Sequence, residues 1–363
     1  MKRSFYLLTI AFLGTFIYSV GHLSVSADVP SNATPTPSPT PAAPVLAKPT
    51  PKPTETPDEI IKIDTELVNL NVRVIDRNNR PINNLQEREF KIFEDGKTQQ
   101  IDFFSKSEVP TNYAMVVDNS GSMRQLLDKV IEAGKVLVNT NRPADDTMII
   151  RFVGRDKIEV QQPFTSNKTD LIDALENMYI EGGQTAIIDA VYLAVESVDE
   201  HEKSEKGDHK RRALILVSDG EDRNSYYNEK QLFELLKESE VQIYVIGFVS
   251  ELSKDGGFIA KSPQQKSKAF LERLASETGG KAYFPAGTAE LPALAKEISN
   301  ELRTQYSIGY IPSNDVHDGT YRNIKVSVDD GPNKEKRIAI ARAGRVAEGG
   351  TAGAKPTPTP AKP

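Results

Sequence analysis

Four short, nearly continuous apolar runs in the middle of this chain constrain its fold more than any other feature. They occupy residues 114–117, 148–153, 213–217 and 243–246. Buried parallel strands have this composition because helices cover both of their faces. Segments of helical periodicity lie between and after the runs, at 123–139, 168–178, 186–198, 229–240, 265–278 and 289–302. Strands that alternate with helices predict an α/β fold built on a doubly wound parallel sheet.

Segments on both sides of this region alternate apolar and polar residues, which is the period of a half-buried β-strand. They are 67–74, 90–93 and 99–104 before it, and 305–311, 321–328 and 337–342 after it. Each group is too small to enclose a good core by itself. We therefore predict that residues 60–108 and 304–346 pair into one small all-β, sandwich-like domain, with the α/β domain of residues 109–303 inserted between its halves. Independent hairpins, the alternative, would leave apolar faces exposed to water.

The N-terminus has the features of an export signal. Lys2 and Arg3 precede an apolar stretch at 5–20, and small residues at 25–27 suit cleavage, so residues 1–27 are predicted to be a signal peptide. An uncleaved membrane anchor is the alternative, although the apolar stretch is short for a bilayer span. Either way we expect the rest of the chain to be exported, whether periplasmic, displayed on the cell surface or secreted. The Pro/Thr-rich residues 28–59 are predicted to be a disordered linker, and residues 347–363 a disordered tail.

Composition excludes several classes of site and partner. The 363 residues include no cysteine, so disulfides, thiolate metal sites and cysteine nucleophiles are excluded. The formal net charge is -6, which argues against a general nucleic-acid binder because such a protein needs a basic face.

Hydroxyl and carboxylate side chains cluster in three loops, each at the end of a predicted strand or the start of a predicted helix. We call this set the oxygen cluster, and it consists of Asp118, Ser120, Ser122, Thr185 and Asp219. Ligands of open α/β sheets bind beyond the carboxyl ends of the strands, so these loops can converge on one point. Their oxygens are hard ligands that suit Mg²⁺, Mn²⁺ or Ca²⁺ rather than Zn²⁺. For the residues 118–122 alone, a helix N-cap is the alternative interpretation.

The oxygen cluster resembles the metal-ion-dependent adhesion site of the von Willebrand factor type A (VWA) family, written Asp-x-Ser-x-Ser with a Thr and an Asp in two further loops. All five positions match in order. The resemblance implies a Rossmann-like fold with one antiparallel edge strand, which residues 157–161 could supply. It also implies one divalent cation, Mg²⁺ in the first place with Mn²⁺ or Ca²⁺ as alternatives. The serines and Thr185 would touch the cation, and the aspartates would act partly through water.

The flanks carry a second resemblance. Residues 85–90 (LQEREF), 93–96 (FEDG) and 306–310 (YSIGY) are similar to the exported bacterial "VWFA-related" proteins, in which similar β segments bracket a VWA domain. This resemblance supports the domain organisation more than any biological role.

These observations lead to a prediction of recognition rather than catalysis. We expect a Glu or Asp carboxylate of a protein partner to complete the shell of the cation, in adhesion or another protein–protein interaction. A structural or assembly factor of a cell-envelope complex is the alternative function. Neither serine has a partner base, because the histidines lie elsewhere in the sequence, at positions 22, 201, 209 and 317, and no nucleophile-elbow motif is present. Glu221 and Asp222 are expected to be solvated charges or to tune ligand choice. Asp189 is expected to support the ligands from behind or to stabilise its helix, and the oligomeric state stays open.

Overall fold

The computed structural model describes residues 67–106, 108–201, 210–253 and 261–347. The predicted signal peptide, the Pro/Thr-rich linker and residues 348–363 of the predicted tail lie outside this range. In chain order the strands are β1 (Val68–Asp76), β2 (Phe90–Glu94), β3 (Lys97–Gln99), β4 (Phe103–Ser105), β5 (Thr111–Asp118), β6 (Asp146–Phe152), β7 (Ile158–Thr165), β8 (Arg211–Ser218), β9 (Gln242–Gly247), β10 (Lys281–Tyr283), β11 (Tyr306–Tyr310), β12 (Tyr321–Val328), β13 (Arg337–Ile340) and β14 (Gly344–Val346).

Helices follow the segments of helical periodicity, with ends set by local capping. They are α1 (Leu127–Thr140), α2 (Lys168–Glu176), α3 (Ile187–Glu200), α4 (Glu229–Glu238), α5 (Pro263–Glu277) and α6 (Leu291–Arg303). Asn228 and Ser262 each accept a hydrogen bond from the backbone three residues on, in capping boxes that begin α4 and α5. Gly279, with a left-handed φ of 76°, follows the end of α5. Within the described part of the chain, no helix combines the length and the apolar character needed to cross a membrane.

A six-stranded sheet of order β10-β9-β8-β5-β6-β7 forms the centre of the α/β region. Its strand pairs are parallel except that of β6 with β7, which is antiparallel. Alternate residues of the central strands belong to two separate apolar cores. One core contains residues of α1, α2 and α6, and the other contains residues of α3, α4 and α5, so helices cover both faces. The predicted α/β class with a mostly parallel sheet is confirmed.

The flanking segments form two further four-stranded sheets, ordered β13-β1-β11-β4 and β14-β12-β2-β3. Strands from before the α/β region pair with strands from after it: β1 with β11 and β13, and β2 with β12. A third apolar core contains side chains from both sheets, including Leu70 and Val72 of β1, Phe90 and Ile92 of β2, and Tyr306 of β11. Long-range pairing between the two ends of the chain therefore builds this part of the molecule.

One predicted strand is wrong in its extent. Residues 99–104 do not form a single strand; Lys97–Gln99 belongs to one flanking sheet and Phe103–Ser105 to the other. The backbone N–H of Asp102 donates to the carbonyl of Gly309 at 2.9 Å, where the chain passes between the sheets. Alternation of apolar residues reports a strand but not the sheet to which it belongs, which explains the error.

Candidate metal centre

The carboxyl ends of neighbouring strands bring the oxygen cluster together. Strand β5 lies between β6 and β8, with Val117 paired to Val217 and Asp118 paired to Phe152. Asp118 is the last residue of β5, and Asp219 follows directly after β8. Because both strands run in the same direction, both carboxylates are placed at the same edge of the sheet.

The remaining members enter from two loops. Ser120 and Ser122 lie in the turn after β5, where a short 3₁₀ helix precedes α1. Thr185 precedes α3, and its carbonyl accepts hydrogen bonds from the backbone N–H of Arg223 at 2.8 Å and of Asn224 at 3.1 Å. These bonds tie the α3 entry loop to the loop after β8, so two of the three loops are held in contact by their backbones.

Four of the five members line one cleft of about 540 Å³, and the fifth lies buried beneath it. The residues around the cleft are Ser120, Gly121, Ser122, Gly183, Thr185, Asp219, Glu221, Arg223, Leu252, Ser253 and Pro263. Asp118 is 0% exposed and is absent from this lining. The cleft is therefore lined by hydroxyls, by the carboxylates of Asp219 and Glu221 and by the side chain of Arg223, and the carboxylate of Asp118 lies behind it.

Hydrogen bonds fix the buried carboxylate of Asp118. One oxygen accepts from the backbone N–H of Ser120 at 2.9 Å, and the other from the hydroxyl of Ser218 at 2.7 Å. The Ser218 hydroxyl oxygen in turn accepts from the N–H of Gly220 at 3.0 Å. The hydroxyl oxygens of Ser120 and Ser122 lie 3.0 Å apart. Most of the cluster is thus held in place by its own chain before any ligand arrives.

The two carboxylates of the cluster oppose each other electrostatically. Burial and the nearby charge of Asp219 raise the pKa of Asp118 to about 6, although the hydrogen bonds from Ser120 and Ser218 act in the opposite direction. Among the described residues, neither aspartate forms an ion pair with a lysine or arginine. Within the described part of the chain, the two carboxylates of the oxygen cluster therefore have no cationic partner of their own.

This donor set fits a hard divalent cation. Two carboxylates and three hydroxyls supply oxygen only, and oxygen is what Mg²⁺, Mn²⁺ and Ca²⁺ prefer. In the described parts of the chain, no three His, Cys, Asp or Glu side chains cluster as a metal site. A soft or histidine-bound metal would need such nitrogen or sulfur ligands. The chemistry of the site thus depends on hydroxyls as much as on carboxylates.

Two glycines permit the close packing of the loops around the cleft. A Cβ on Gly183 would lie 2.7 Å from Cγ1 of Val153, at the end of β6. Gly220 has a left-handed φ of 81°, and a Cβ there would lie 2.7 Å from the side chain of Leu271. A side chain at Gly183 would push its loop away from the sheet, and one at Gly220 would collide with α5.

Sequence reasoning missed Ser218 and Arg223. Ser218 reaches Asp118 only because β5 and β8 are neighbours, and the two residues are 100 apart in sequence. Arg223 lines the cleft and donates to the carboxylate of Glu221, which lines it too. A basic residue four positions after Asp219 was a visible signal, but nothing in the sequence placed its side chain on the cleft.

Two acidic residues near the rim support backbone rather than facing the cleft. Asp189, in the first turn of α3, accepts from the backbone N–H groups of Tyr226 at 2.7 Å and Tyr227 at 2.9 Å. Burial raises its pKa, and these two hydrogen bonds act in the opposite direction. Asp222 accepts from the N–H of Ile188 at 3.2 Å, at the start of α3. Both residues therefore hold the loop after β8 against α3.

Comparison with known proteins identifies the central region. Residues 113–297, just over half of the chain, match the model of the von Willebrand factor type A domain. An uncharacterized protein of Synechocystis sp. is 26% identical over 167 residues, which cover 45% of this chain. The matched region spans only 38% of that relative's length.

Solved structures with similar folds come from varied sources. An aerotolerance-related membrane protein of Bacteroides fragilis is 23% identical, with a TM-score of 0.40, covering 53% of this chain and 98% of that one. A von Willebrand factor type A protein of Catenulispora acidiphila is 12% identical, with a TM-score of 0.43, covering 71% of this chain and 75% of that one. Proximal thread matrix protein 1 of the mussel byssus, with a zinc-occupied MIDAS motif, is 20% identical, with a TM-score of 0.42, covering 54% and 48%.

Proposed function

Because this chain belongs to the von Willebrand factor type A domain family, we propose that its oxygen cluster holds one divalent cation and that the cleft binds an acidic group of a protein partner. The observation that carries the proposal is the convergence of three loops on one cleft, with Asp118 buried beneath it. Mg²⁺ is the favoured ion, and Mn²⁺ and Ca²⁺ suit the same donors.

The members of the oxygen cluster would have different roles, according to their positions around the cleft. Ser120, Ser122 and Thr185 present neutral hydroxyls to the cleft, so they can coordinate without cancelling positive charge. Asp219 contributes a carboxylate at the wall, while Asp118 is placed to orient Ser120 and Ser218 from below. The cation, when bound, would supply an electrophilic charge that attracts a carboxylate.

The open cleft suits a protruding acidic side chain of a protein. Its volume of about 540 Å³ exceeds what an ion alone would occupy. Arg223 lines the cleft and is paired with Glu221, but its side chain is 61% exposed, so its guanidinium can turn toward an incoming carboxylate. Contacts of this charge-assisted kind are stronger than hydrogen bonds between neutral groups.

We propose that the site recognises its partner without catalysing a reaction. Acyl-transfer chemistry at Ser120 or Ser122 would need a neighbouring base. His201 lies at the far end of α3 from Thr185, about 21 Å along a helix of 14 residues. His317 lies between β11 and β12 in the flanking strands. Neither described histidine is therefore in reach of the serines.

We also propose that the protein is exported and that its two flanking sheets form one sandwich domain with the VWA domain inserted in it. The basic and apolar N-terminal segment supports export. The pairing of β1 with β11 and of β2 with β12 supports the insertion, since each pair joins a strand that precedes the VWA domain to a strand that follows it.

A calorimetric titration of the full chain with MgCl₂, MnCl₂ and CaCl₂ tests the cation site. Asp219→Asn removes one carboxylate at nearly constant shape, and we expect it to weaken binding by about 10-fold or more, the equivalent of one lost 1.4 kcal/mol contact. Asp173→Asn, at an exposed carboxylate on α2, is the matched control and should bind like the wild type. Equal affinity in all three proteins would rule out the oxygen cluster as the cation site.

A pull-down from envelope extract tests the partner class. The full chain is used as bait in Mg²⁺ and again in EDTA, beside the Asp219→Asn and Asp173→Asn variants. We expect partners that are captured by the wild type and by Asp173→Asn in Mg²⁺ only. A partner set that survives both EDTA and Asp219→Asn would show that recognition does not use the cation and would favour a scaffold role.

A further inference from the structure

A second cavity, far from the oxygen cluster in the sheet, lies where the flanking strands meet the α/β region. Its volume is about 60 Å³, and β1, β11, the start of β8 and the segment between α4 and β9 all contribute to its walls. Three basic side chains line it, those of Lys210, Arg212 and Arg342, together with the single carboxylate of Glu240. We call this the junction cavity.

The two arginines of the junction cavity are nearly buried, and their side chains make no hydrogen bond with the described residues. The side chains of Arg212 and Arg342 are 11% and 14% exposed, and neither donates to any acceptor in the described parts of the chain. Their Nε atoms are fully buried and unpaired. Glu240 is their common neighbour, but each guanidinium lies 3.9 Å from it, beyond hydrogen-bonding distance.

Other buried arginines of this protein do form side-chain hydrogen bonds. Arg211, next in sequence to Arg212, donates to the carbonyls of Leu302 and Gln305, both at 2.7 Å. Arg73 donates through Nη1 to Glu301 at 2.7 Å, although its own Nε is also unpaired. A buried guanidinium without an acceptor costs free energy, because it has given up water without replacing it. The buried Nε atoms of Arg212 and Arg342 therefore lack an acceptor from the described part of the chain.

We propose that the junction cavity binds a small oxyanion of the phosphate or sulfate class. Its volume equals about four to six water-sized positions at 10–15 Å³ each, which matches the five heavy atoms of such an anion. Lys210 is paired with Asp146 at 3.6 Å, so the excess of positive charge comes from Arg212 and Arg342, which share the single carboxylate of Glu240. A water molecule could accept a hydrogen bond here, but only an anion would also neutralise the charge.

Hydroxyl groups complete the donor set. Ser239 and Ser307 line the same cavity. Each hydroxyl oxygen accepts one hydrogen bond, from Val241 N–H at 3.4 Å and from the Arg211 guanidinium at 3.3 Å, and each keeps its own proton for a ligand. Arg212 and Ser239 belong to the α/β region, and Arg342 and Ser307 to the flank. An anion bound there would link the two parts of the molecule.

Thermal unfolding of the full chain tests this proposal. Sodium phosphate and sodium sulfate are titrated in EDTA against sodium chloride of equal ionic strength, so that cation binding at the oxygen cluster does not contribute. We expect a saturable rise in Tm with phosphate and sulfate. Both anions also stabilise proteins by exclusion from their surface, which gives a rise that does not saturate and does not depend on the variant.

Variants separate the two effects. Arg212→Gln and Arg342→Gln should each lose the saturable rise, and calorimetry should show binding of phosphate weakened by about 10-fold or more, the loss expected for one charge-assisted contact. Arg77→Gln, at an exposed arginine in the turn after β1, is the matched control and should keep both the saturable rise in Tm and the affinity for phosphate. If a variant is poorly folded, calorimetry on the wild type and the control still shows whether the protein binds phosphate. Absence of saturable binding to the wild type, or unchanged binding to folded Arg212→Gln and Arg342→Gln, would overturn the proposal.

Discussion

Replacing the buried carboxylate of Asp118 by an amide should change how the stability of the cation-free protein depends on pH. Burial and Asp219 raise the pKa of Asp118 from 3.8 to about 6 in the folded state. A raised pKa means that the ionised carboxylate is less stable in the folded chain than in the unfolded one. Its contribution is therefore fully favourable only below pH 3.8 and is lost as the pH rises through about 6.

The size of the effect follows from linkage. A shift from 3.8 to about 6 corresponds to about 3 kcal/mol when the change is complete. Between pH 4.5 and pH 7.0, the same two values give a loss of about 2 kcal/mol in the free energy of unfolding. Asp118→Asn cannot ionise, so this loss should be present in the wild type and missing in the variant. Hydrogen bonds altered by the amide, such as that from Ser218, change the free energy of unfolding equally at both pH values. Their effect therefore cancels in the difference between the two.

Urea unfolding in EDTA at pH 4.5 and pH 7.0 measures this difference. The chain has no tryptophan, so circular dichroism and tyrosine fluorescence serve as probes. Asp173→Asn, whose parent carboxylate is exposed on α2, should follow the wild type. At pH 7.0, Mg²⁺ at 100 times its wild-type Kd should add about 2.7 kcal/mol to the free energy of unfolding of the wild type and less to that of Asp118→Asn. A wild-type-minus-variant difference that is the same at both pH values would refute the argument.

Three further predictions concern stability, and urea unfolding checks each of them. Removing one partner of the buried pair between Arg73 and Glu301, as in Glu301→Gln, should cost about 3–5 kcal/mol. The double variant Arg73→Met with Glu301→Met should cost less than the sum of its two single changes, and additive costs would contradict this. Gly279→Ala should destabilise by about 1–3 kcal/mol, because φ is 76° and the new Cβ would lie 2.7 Å from the backbone of Ala341; an unchanged midpoint would contradict it. Asn228→Ala should cost about 1 kcal/mol by removing the cap of α4, and Asn228→Ser should largely preserve stability.

Local patterns predicted the centre of the fold well. The apolar runs correspond to β5, β6, β8 and β9, because a strand buried on both faces must be apolar throughout. Strands β10 and β14 were not predicted. Each has three residues, which is too short for a periodic pattern to show.

The position of the oxygen cluster was also predictable from the sequence, but the hydrogen bonds that hold it in place were not. Asp118, Ser120 and Ser122 are close in sequence, and the end of a predicted strand is itself a local signal. The contact of Ser218 with Asp118 depends on which strands are neighbours, and no local pattern contains that information. The junction cavity was invisible for the same reason, since Arg212 and Arg342 are distant in sequence and meet only after the flanks have paired.

The direction of the strands explains why the two candidate sites lie apart. Asp118 and Asp219 follow the carboxyl ends of β5 and β8, whereas Arg211 and Arg212 begin β8 at its amino end. At about 3.3 Å per residue, the eight residues of β8 separate the ends by roughly 26 Å. At this amino end, Arg211 of β8 contacts Leu302 of α6, and Arg73 of the flanking strand β1 contacts Glu301 of α6. One end of the sheet thus carries the open cleft, while buried charges at the other end join it to the flanking strands.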